Sequence, residues 1–226
     1  MSKKFRVAIL DDHQSIVDGY LYRLQNTPDI EVVATAVYGE ALETVLQAHP
    51  IDVLILDVNV PTSADNRDPF PILYVIPQYL YQYPSLHILV ISMHNQKALI
   101  RGTINAGACG YILKDDRESI HDLATAIRAV ANGGMYFSRD AHHRYKQSPS
   151  ADIHLTKRQL EVLSLCAAFP DETTAQLSDR LQVAESTVRN TLSQAYVRLS
   201  VSSRTAAVAK ARRQSLITPL DSAEQA

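Results

Sequence analysis

The 226-residue sequence predicts an α/β doubly wound domain on a five-stranded parallel sheet, followed by a small all-α domain of four helices. Three observations predict it. Up to about residue 134, five short apolar runs alternate with stretches of helical periodicity. The run Val53-Leu54-Ile55-Leu56 is apolar without alternation, as in a strand covered by helices on both faces. Beyond about residue 152 the strand-like runs stop and only short helical patterns remain.

Composition fits an ordinary globular protein, with 46% hydrophobic and 20% charged residues. No apolar run approaches the roughly 20 residues of a membrane-spanning helix. The first apolar stretch is cut by Asp11 and Asp12, too soon for a secretory leader. Cys109 and Cys166 match no metal spacing and are expected to be buried thiols in a reducing cytoplasm. A net charge of −2 conceals an asymmetry. Residues 1–138 carry 10 Lys and Arg against 15 Asp and Glu, whereas residues 152–217 carry 9 against 6. A basic piece joined to an acidic one is the pattern of a nucleic-acid-binding module with a non-binding partner.

The elements follow in order. Phe5 to Leu10 forms the first strand and ends in Asp11 and Asp12. His13 to Gln25 repeats Ile16, Val17, Tyr20, Leu21 and Leu24 at helical spacing, and Pro28 closes it. Ile30 to Ala36 is the second strand. A helix with Ala41, Leu42, Val45 and Leu46 then stops near Pro50. The third strand, Asp52 to Leu56, ends at Asp57. Pro61 to Pro71 has the composition of an irregular loop. A helix from about Ile72 to Gln82 must accommodate Pro77, and its tyrosines read as packing. Leu86 to Ile91 is the fourth strand, ending at Ser92. A helix spans Asn95 to Ala106, and Tyr111 to Leu113 is the fifth strand, ending at Lys114. A last helix starts at Asp116 or Ser119 and runs to Asn132, with Gly133 and Gly134 as its stop. Residues 138–153 lack periodicity and read as a linker, with His142 and His143 solvated. Capping boxes at Thr156–Gln159 and Thr173–Gln176 open two helices; Glu185 to Leu199 and Ser203 to Gln214 form two more.

In a parallel doubly wound sheet all strands end on one edge, where ligands bind. That topology gathers Asp11, Asp12, Asp57, Ser92 and Lys114. Three carboxylates repel unless a cation joins them, and hard oxygen ligands suit Mg2+. Together with Lys114 they suit charge neutralisation on a phosphoryl group moving to Asp57. The plainer alternative makes Asp11 and Asp12 helix caps and Lys114 an ion-pair partner.

The Asp-Asp pair, the Asp57-x-x-x-Pro61 strand end, Ser92, Tyr111-x-x-Lys114 and Gly107-Ala-Cys-Gly-Tyr-Ile-Leu-Lys-Asp115 resemble the receiver domain of two-component response regulators. The resemblance implies a flavodoxin-like receiver. Asp57 would be the phosphoacceptor, with Asp12 a direct and Asp11 a mainly water-mediated Mg2+ ligand. Asp57 and the Asn59 carbonyl would complete the metal set. Ser92 and Tyr111 would be the switch pair, and Lys114 would stabilise the phosphoryl group. One departure stands out: receivers usually follow the proline with a glycine-containing turn, whereas Pro61 to Pro71 contains none. An altered kinase- or phosphatase-facing surface is expected there.

In the second domain, Leu155 to Leu163, Ala184 to Asn190 and Val201 to Val208 resemble the LuxR-type helix-turn-helix of NarL/FixJ response regulators. A helix-turn-helix inserts its second helix in the major groove. By family position Arg189, Asn190 and Ser193 would face bases, Thr187 and Arg204 phosphates, and Ser203 to Gln214 would pair two copies. Arg189 stands where the family has Lys, Thr191 where it has His, and Ser193 where a basic residue is frequent, so base preference does not carry over. The expected organisation is a receiver over 1–136, a linker over 137–151, a DNA-binding domain over 152–218 and a tail over 219–226. A sensor histidine kinase, promoter DNA and a second copy are the implied partners, with no membrane. Self-phosphorylation and self-dephosphorylation are the only catalysis implied. A second reading keeps the receiver as a phosphorylation-independent docking module; the intact five-residue set argues against it.

Overall fold

The computed structural model describes residues 4–147 and 155–219. The last linker positions and the tail expected beyond residue 219 lie outside the described residues.

β1 (Phe5–Leu10), β2 (Ile30–Ala36), β3 (Val53–Leu56), β4 (His87–Ser92), β5 (Gly110–Leu113) and β6 (Tyr136–Phe137) form a sheet in the order β2-β1-β3-β4-β5-β6. Every neighbouring pair is parallel. Both faces are covered. Pleating sends Val7, Ile9, Val53, Ile55, Leu89, Ile91 and Ile112 into one cluster with α1 (Gln14–Leu24) and α6 (Leu123–Ala131). The alternate residues Leu10, Leu54, Leu56, Ile88, Val90 and Tyr111 join α2 (Ala41–Ala48), α3 (Ile72–Gln82) and α4 (Lys97–Ala106) in another. Two buried faces explain why the strands show no polar alternation. Pro77 lies inside α3 without ending it.

Three details depart from the sequence expectation. The last receiver helix is divided at Asp122, with α5 (Arg117–His121) preceding α6; the Asp116 carboxylate accepts from the Ser119 N–H at 3.0 Å. A sixth, two-residue strand pairs with β5. Finally, α7 (Arg139–Lys146) forms in the aperiodic stretch and packs on α4 and β5. β6 is too short to show a period, and α7 buries only Ala141 of its own residues, so it carries no apolar stripe. Its fixings are tertiary: Tyr145 stacks on Phe137 at 5.2 Å, and the Arg101 guanidinium donates to the Tyr145 and Gln147 carbonyls.

The second domain comprises α8 (Lys157–Ala168), α9 (Thr174–Leu181), α10 (Glu185–Leu199) and α11 (Arg204–Arg213). Both expected capping boxes are present. Leu163, Leu177, Val188, Leu192, Leu199 and Ala207 form its core, which is continuous with the α2–α4 side of the receiver. α8 packs directly on α3 and α4.

The glycine-free stretch closes on itself. Pro61 and Pro69 form an antiparallel bridge, and the Thr62 N–H and hydroxyl both donate to the Asp68 carbonyl. Phe70 then enters the core against Gly39, where a Cβ would collide with its ring. Gly39→Ala is therefore expected to lower stability by about 1–3 kcal/mol through overpacking. Urea denaturation checks this, and an unchanged midpoint would show that Phe70 yields freely.

Candidate functional site

The sheet fixes where the charged groups stand, because each strand is prolonged by one more hydrogen bond. The Asp11 N–H donates to the Ala36 carbonyl at 3.1 Å, that of Asp57 to Leu10 at 2.9 Å, and that of Lys114 to Ser92 at 2.9 Å. Lys114 Nζ consequently reaches Asp11 Oδ2 at 2.7 Å and Asp57 Oδ2 at 2.8 Å, with all three side chains at most 5% exposed. Asp11 Oδ1 accepts from the His13 N–H at 3.0 Å. Asp12 lies on the open side, 2.8 Å from His13 Nδ1. The Asn59 N–H points at Asp57 Oδ1 from 3.4 Å. Ligand atoms of Asp11, Asp12, His13 and Asp57 all fall within 4.8 Å of one another, a cluster able to hold a metal ion.

The electrostatics are those of a crowded, partly dry site. Burial, and then the charge of Asp57, hold the Asp11 carboxyl above its ordinary pKa, against the pull of Lys114. Burial alone would lower the Lys114 pKa, yet the charges of Asp57 and Asp11 outweigh it and keep the ammonium firmly protonated. Tyr20 is 3% exposed, and its hydroxyl has no protein hydrogen-bond partner. Burial and the nearby Asp11 and Asp57 charges push its phenol up.

Ser92 is fully buried at the end of β4, where its hydroxyl accepts from the His94 N–H at 3.2 Å. Tyr111 is also fully buried, turned inward, and donates to the His94 carbonyl at 2.7 Å. Burial raises its phenol pKa, with Ser92 hydrogen-bonding in the opposite sense. The structure thus unites Asp11, Asp12, Asp57, Asn59, Ser92, Tyr111 and Lys114 at one edge. Periodicity marks His13 only as a helix start; its position directly after two aspartates is the signal for its place in the cluster. Helical spacing marks Tyr20 only as a packing residue, and no sequence pattern fixes its orientation.

On α10, Thr187, Arg189, Asn190 and Ser193 are exposed, while Val188, Leu192, Ala195 and Leu199 are buried. Arg189 has only a loose contact with Glu185, 3.7 Å away, so its guanidinium is available to a partner. Arg204 differs: it is half-buried, and its guanidinium donates to the Glu172 carbonyl at 2.6 Å and to the Pro170 carbonyl.

A doubly wound domain with a carboxylate–lysine edge, joined to an exposed-helix tetrahelical domain, defines a receiver coupled to a helix-turn-helix. Residues 7–127 match the response regulator receiver domain, and residues 154–211 match the LuxR family of bacterial regulatory proteins. The chain therefore belongs to the NarL/FixJ response regulators, DNA-binding proteins that regulate transcription. It is 28% identical to the transcriptional regulatory protein DegU of Brevibacillus brevis, over 91% of this chain and 92% of that one. It is 32% identical to the transcriptional regulatory protein MctR of Rhizobium johnstonii, over 73% and 74% respectively. In fold it is similar to RcsB of Salmonella enterica serovar Typhimurium bound to the rprA promoter with the phosphomimetic BeF3−. That likeness has a TM-score of 0.57 and 22% identity, over 92% of this chain and 98% of that one. Among the described residues no helix is long and apolar enough to cross a membrane.

A raised Asp11 pKa means that the folded state disfavours the ionised form. Without metal, the associated stability is present below the unfolded-state value of about 3.9 and is lost as pH rises through the folded value. Asp11→Asn should raise the melting temperature of metal-free protein at neutral pH by about 2–4 °C per kcal/mol relieved. It should also flatten the profile above pH 4. Calorimetry across pH checks this, and a variant less stable than the parent at pH 7 would contradict it.

Proposed function

We propose that Asp57 is the phosphoacceptor of this regulator and that a sensor histidine kinase is the donor. The observation that carries the reading is the single ammonium of Lys114 bonded to both Asp11 and Asp57 beside the open-sided Asp12. The donor set is mostly hard oxygen, which fits Mg2+ with several waters retained. Asp11, Asp12, Asp57 and the Asn59 carbonyl would hold it, while His13 stays the partner of Asp12. When bound, Mg2+ supplies charge neutralisation for the phosphoryl oxygens.

In the transfer, an Asp57 carboxylate oxygen attacks phosphorus in line. The P–N bond to the kinase histidine breaks as the acyl-phosphate P–O bond forms, and the electron pair leaves with the imidazole. Lys114, already placed by Asp11, follows the charge onto a phosphoryl oxygen. Ser92 offers its hydroxyl to another oxygen. Tyr111, already inward behind it, occupies the space that Ser92 and the His94 segment leave. The added charge of roughly −1.5 to −2 biases this arrangement. Catalysis is confined to taking up and hydrolysing this phosphate.

In the second domain α10 enters the major groove. Arg189, Asn190 and Ser193 face bases and Thr187 a phosphate. Arg204, bound to two carbonyls, anchors the α8–α9 corner and reaches phosphate only through its remaining N–H groups. Pairing through α11 lets two copies span two half-sites. A regulator of promoters works where the chromosome is, so the cytoplasm is its compartment.

Asp57→Ala is expected to abolish labelling by acetyl phosphate in Mg2+ buffer; phosphate retained on the variant and mapped to another residue would overturn the assignment. Arg189→Ala should weaken binding to a target promoter by about 1–3 kcal/mol if the guanidinium pairs with guanine in two bonds. Fluorescence anisotropy at fixed salt reads the loss, and an unchanged affinity would remove Arg189 from the base-reading set.

A further inference from the structure

The glycine-free loop is rigid by construction. Besides the Thr62–Asp68 closure, the Ser63 N–H donates to the Asn66 carbonyl, the Asn66 N–H to the Ser63 hydroxyl, and the Asp68 N–H to Asn66 Oδ1. These bonds leave two side-chain groups pointing at the second domain. Asn66 Nδ2 donates to the Ala168 carbonyl at 2.8 Å, and Asp68 Oδ1 lies 3.1 Å from Arg212 Nη2, which also donates to the Ala167 carbonyl at 3.0 Å. Ala167 and Ala168 end α8, where carbonyls have no partner within the helix. Tyr74, on α3, donates in the same way to the Arg180 carbonyl in the last turn of α9. Receiver side chains thus complete the C-terminal ends of two helices in the DNA-binding domain.

The ion pair matters more than an exposed one. Arg212 has 16% of its side chain exposed, and its Nε is buried without a partner. Asp68 is the one carboxylate it pairs with among the described residues. Removing Asp68 leaves a mostly buried cation uncompensated, which favours separation of the domains. Asp68, Gln96 and, on α11, Arg212 line a cleft of about 610 Å3.

We propose that the loop Pro61–Phe70 is an intramolecular docking element that holds the DNA-binding domain on the receiver through Asp68–Arg212 and Asn66. It leaves the base-facing residues of α10 exposed and restrains α11. The loop begins four residues beyond Asp57, and the Phe70 N–H returns to the Val60 carbonyl at 2.9 Å. Displacement of the Asp57 turn therefore moves the docking residues directly. That coupling rests on the phosphoacceptor reading; the docking itself does not.

The test uses the unphosphorylated full chain and small-angle scattering. The parent should approach the radius of gyration of about 17 Å expected for one compact body of this length. Asp68→Arg and Arg212→Asp should each raise it above about 20 Å, and the double reversal should restore the parent value. Asn66→Ala, a milder change, should give a smaller shift in the same direction. Single variants as compact as the parent, or a double reversal as extended as the singles, would overturn the proposal. Acetyl-phosphate labelling of Asp68→Arg at the parent rate shows that its receiver is folded. Loss of labelling in the parent itself would strike the phosphoacceptor reading while leaving the scattering result to judge the docking.

Discussion

Lys114 is the group on which the rest of the receiver depends. Two carboxylates drawn within reach of each other at a largely dry sheet edge repel strongly, and only a buried cation makes the apposition tolerable. Lys114 bonds Asp11 and Asp57 at once, so the end of β5 is joined through side chains to the ends of β1 and β3, across β4, with which alone of these three strands β5 pairs through backbone. On the phosphoacceptor reading proposed above, a phosphoryl group on Asp57 would exchange one carboxylate charge for a larger anion on a longer arm. The lysine would then redistribute its bonds beside Ser92, which ends the intervening strand β4, and Tyr111, which lies on β5 itself. The site is poised because its charge is only partly balanced.

Much of this was legible in the sequence. Apolar runs that end in Asp11, Asp57, Ser92 and Lys114 specified both the parallel sheet and the convergence of its ends, because topology alone brings strand ends together. The capping boxes at Thr156 and Thr173 located two helices to the residue. What escaped were elements held by tertiary contacts. α7 buries only Ala141 of its own residues and takes its place from Arg101, Phe137 and the covered β5, none of which is a local signal. β6 is too short to show a period. The loop after Pro61 looked irregular by composition, yet its serine, threonine, asparagine and aspartate supply the bonds that order it. Its docking to α8 and α11 joins residues more than 100 positions apart, which no window of sequence displays.

The two domains solve one packing problem together. The receiver cluster on the α2–α4 side runs on into α8 and its neighbours, so part of the apolar surface of each domain is covered by the other. A DNA-binding domain that leaves must expose that surface to water or offer it to another copy. The balance between closed and open arrangements is therefore a competition between burial sites, with the Asp68–Arg212 pair as the local bias.

β6 has a role unconnected with signalling. Without it, β5 would present its unpaired backbone groups along an open sheet margin, the kind of surface on which strands of different molecules add to one another. Two residues of β6, pinned by the Ser138 N–H to Tyr111 and backed by α7, close that margin. The opposite margin, β2, carries the exposed Glu31 and Thr35 along its length. A chain cut before Tyr136 would keep every residue of the carboxylate–lysine site and still gain a sticky flank. Truncated receivers of this protein are thus expected to suffer in solubility before they suffer in chemistry.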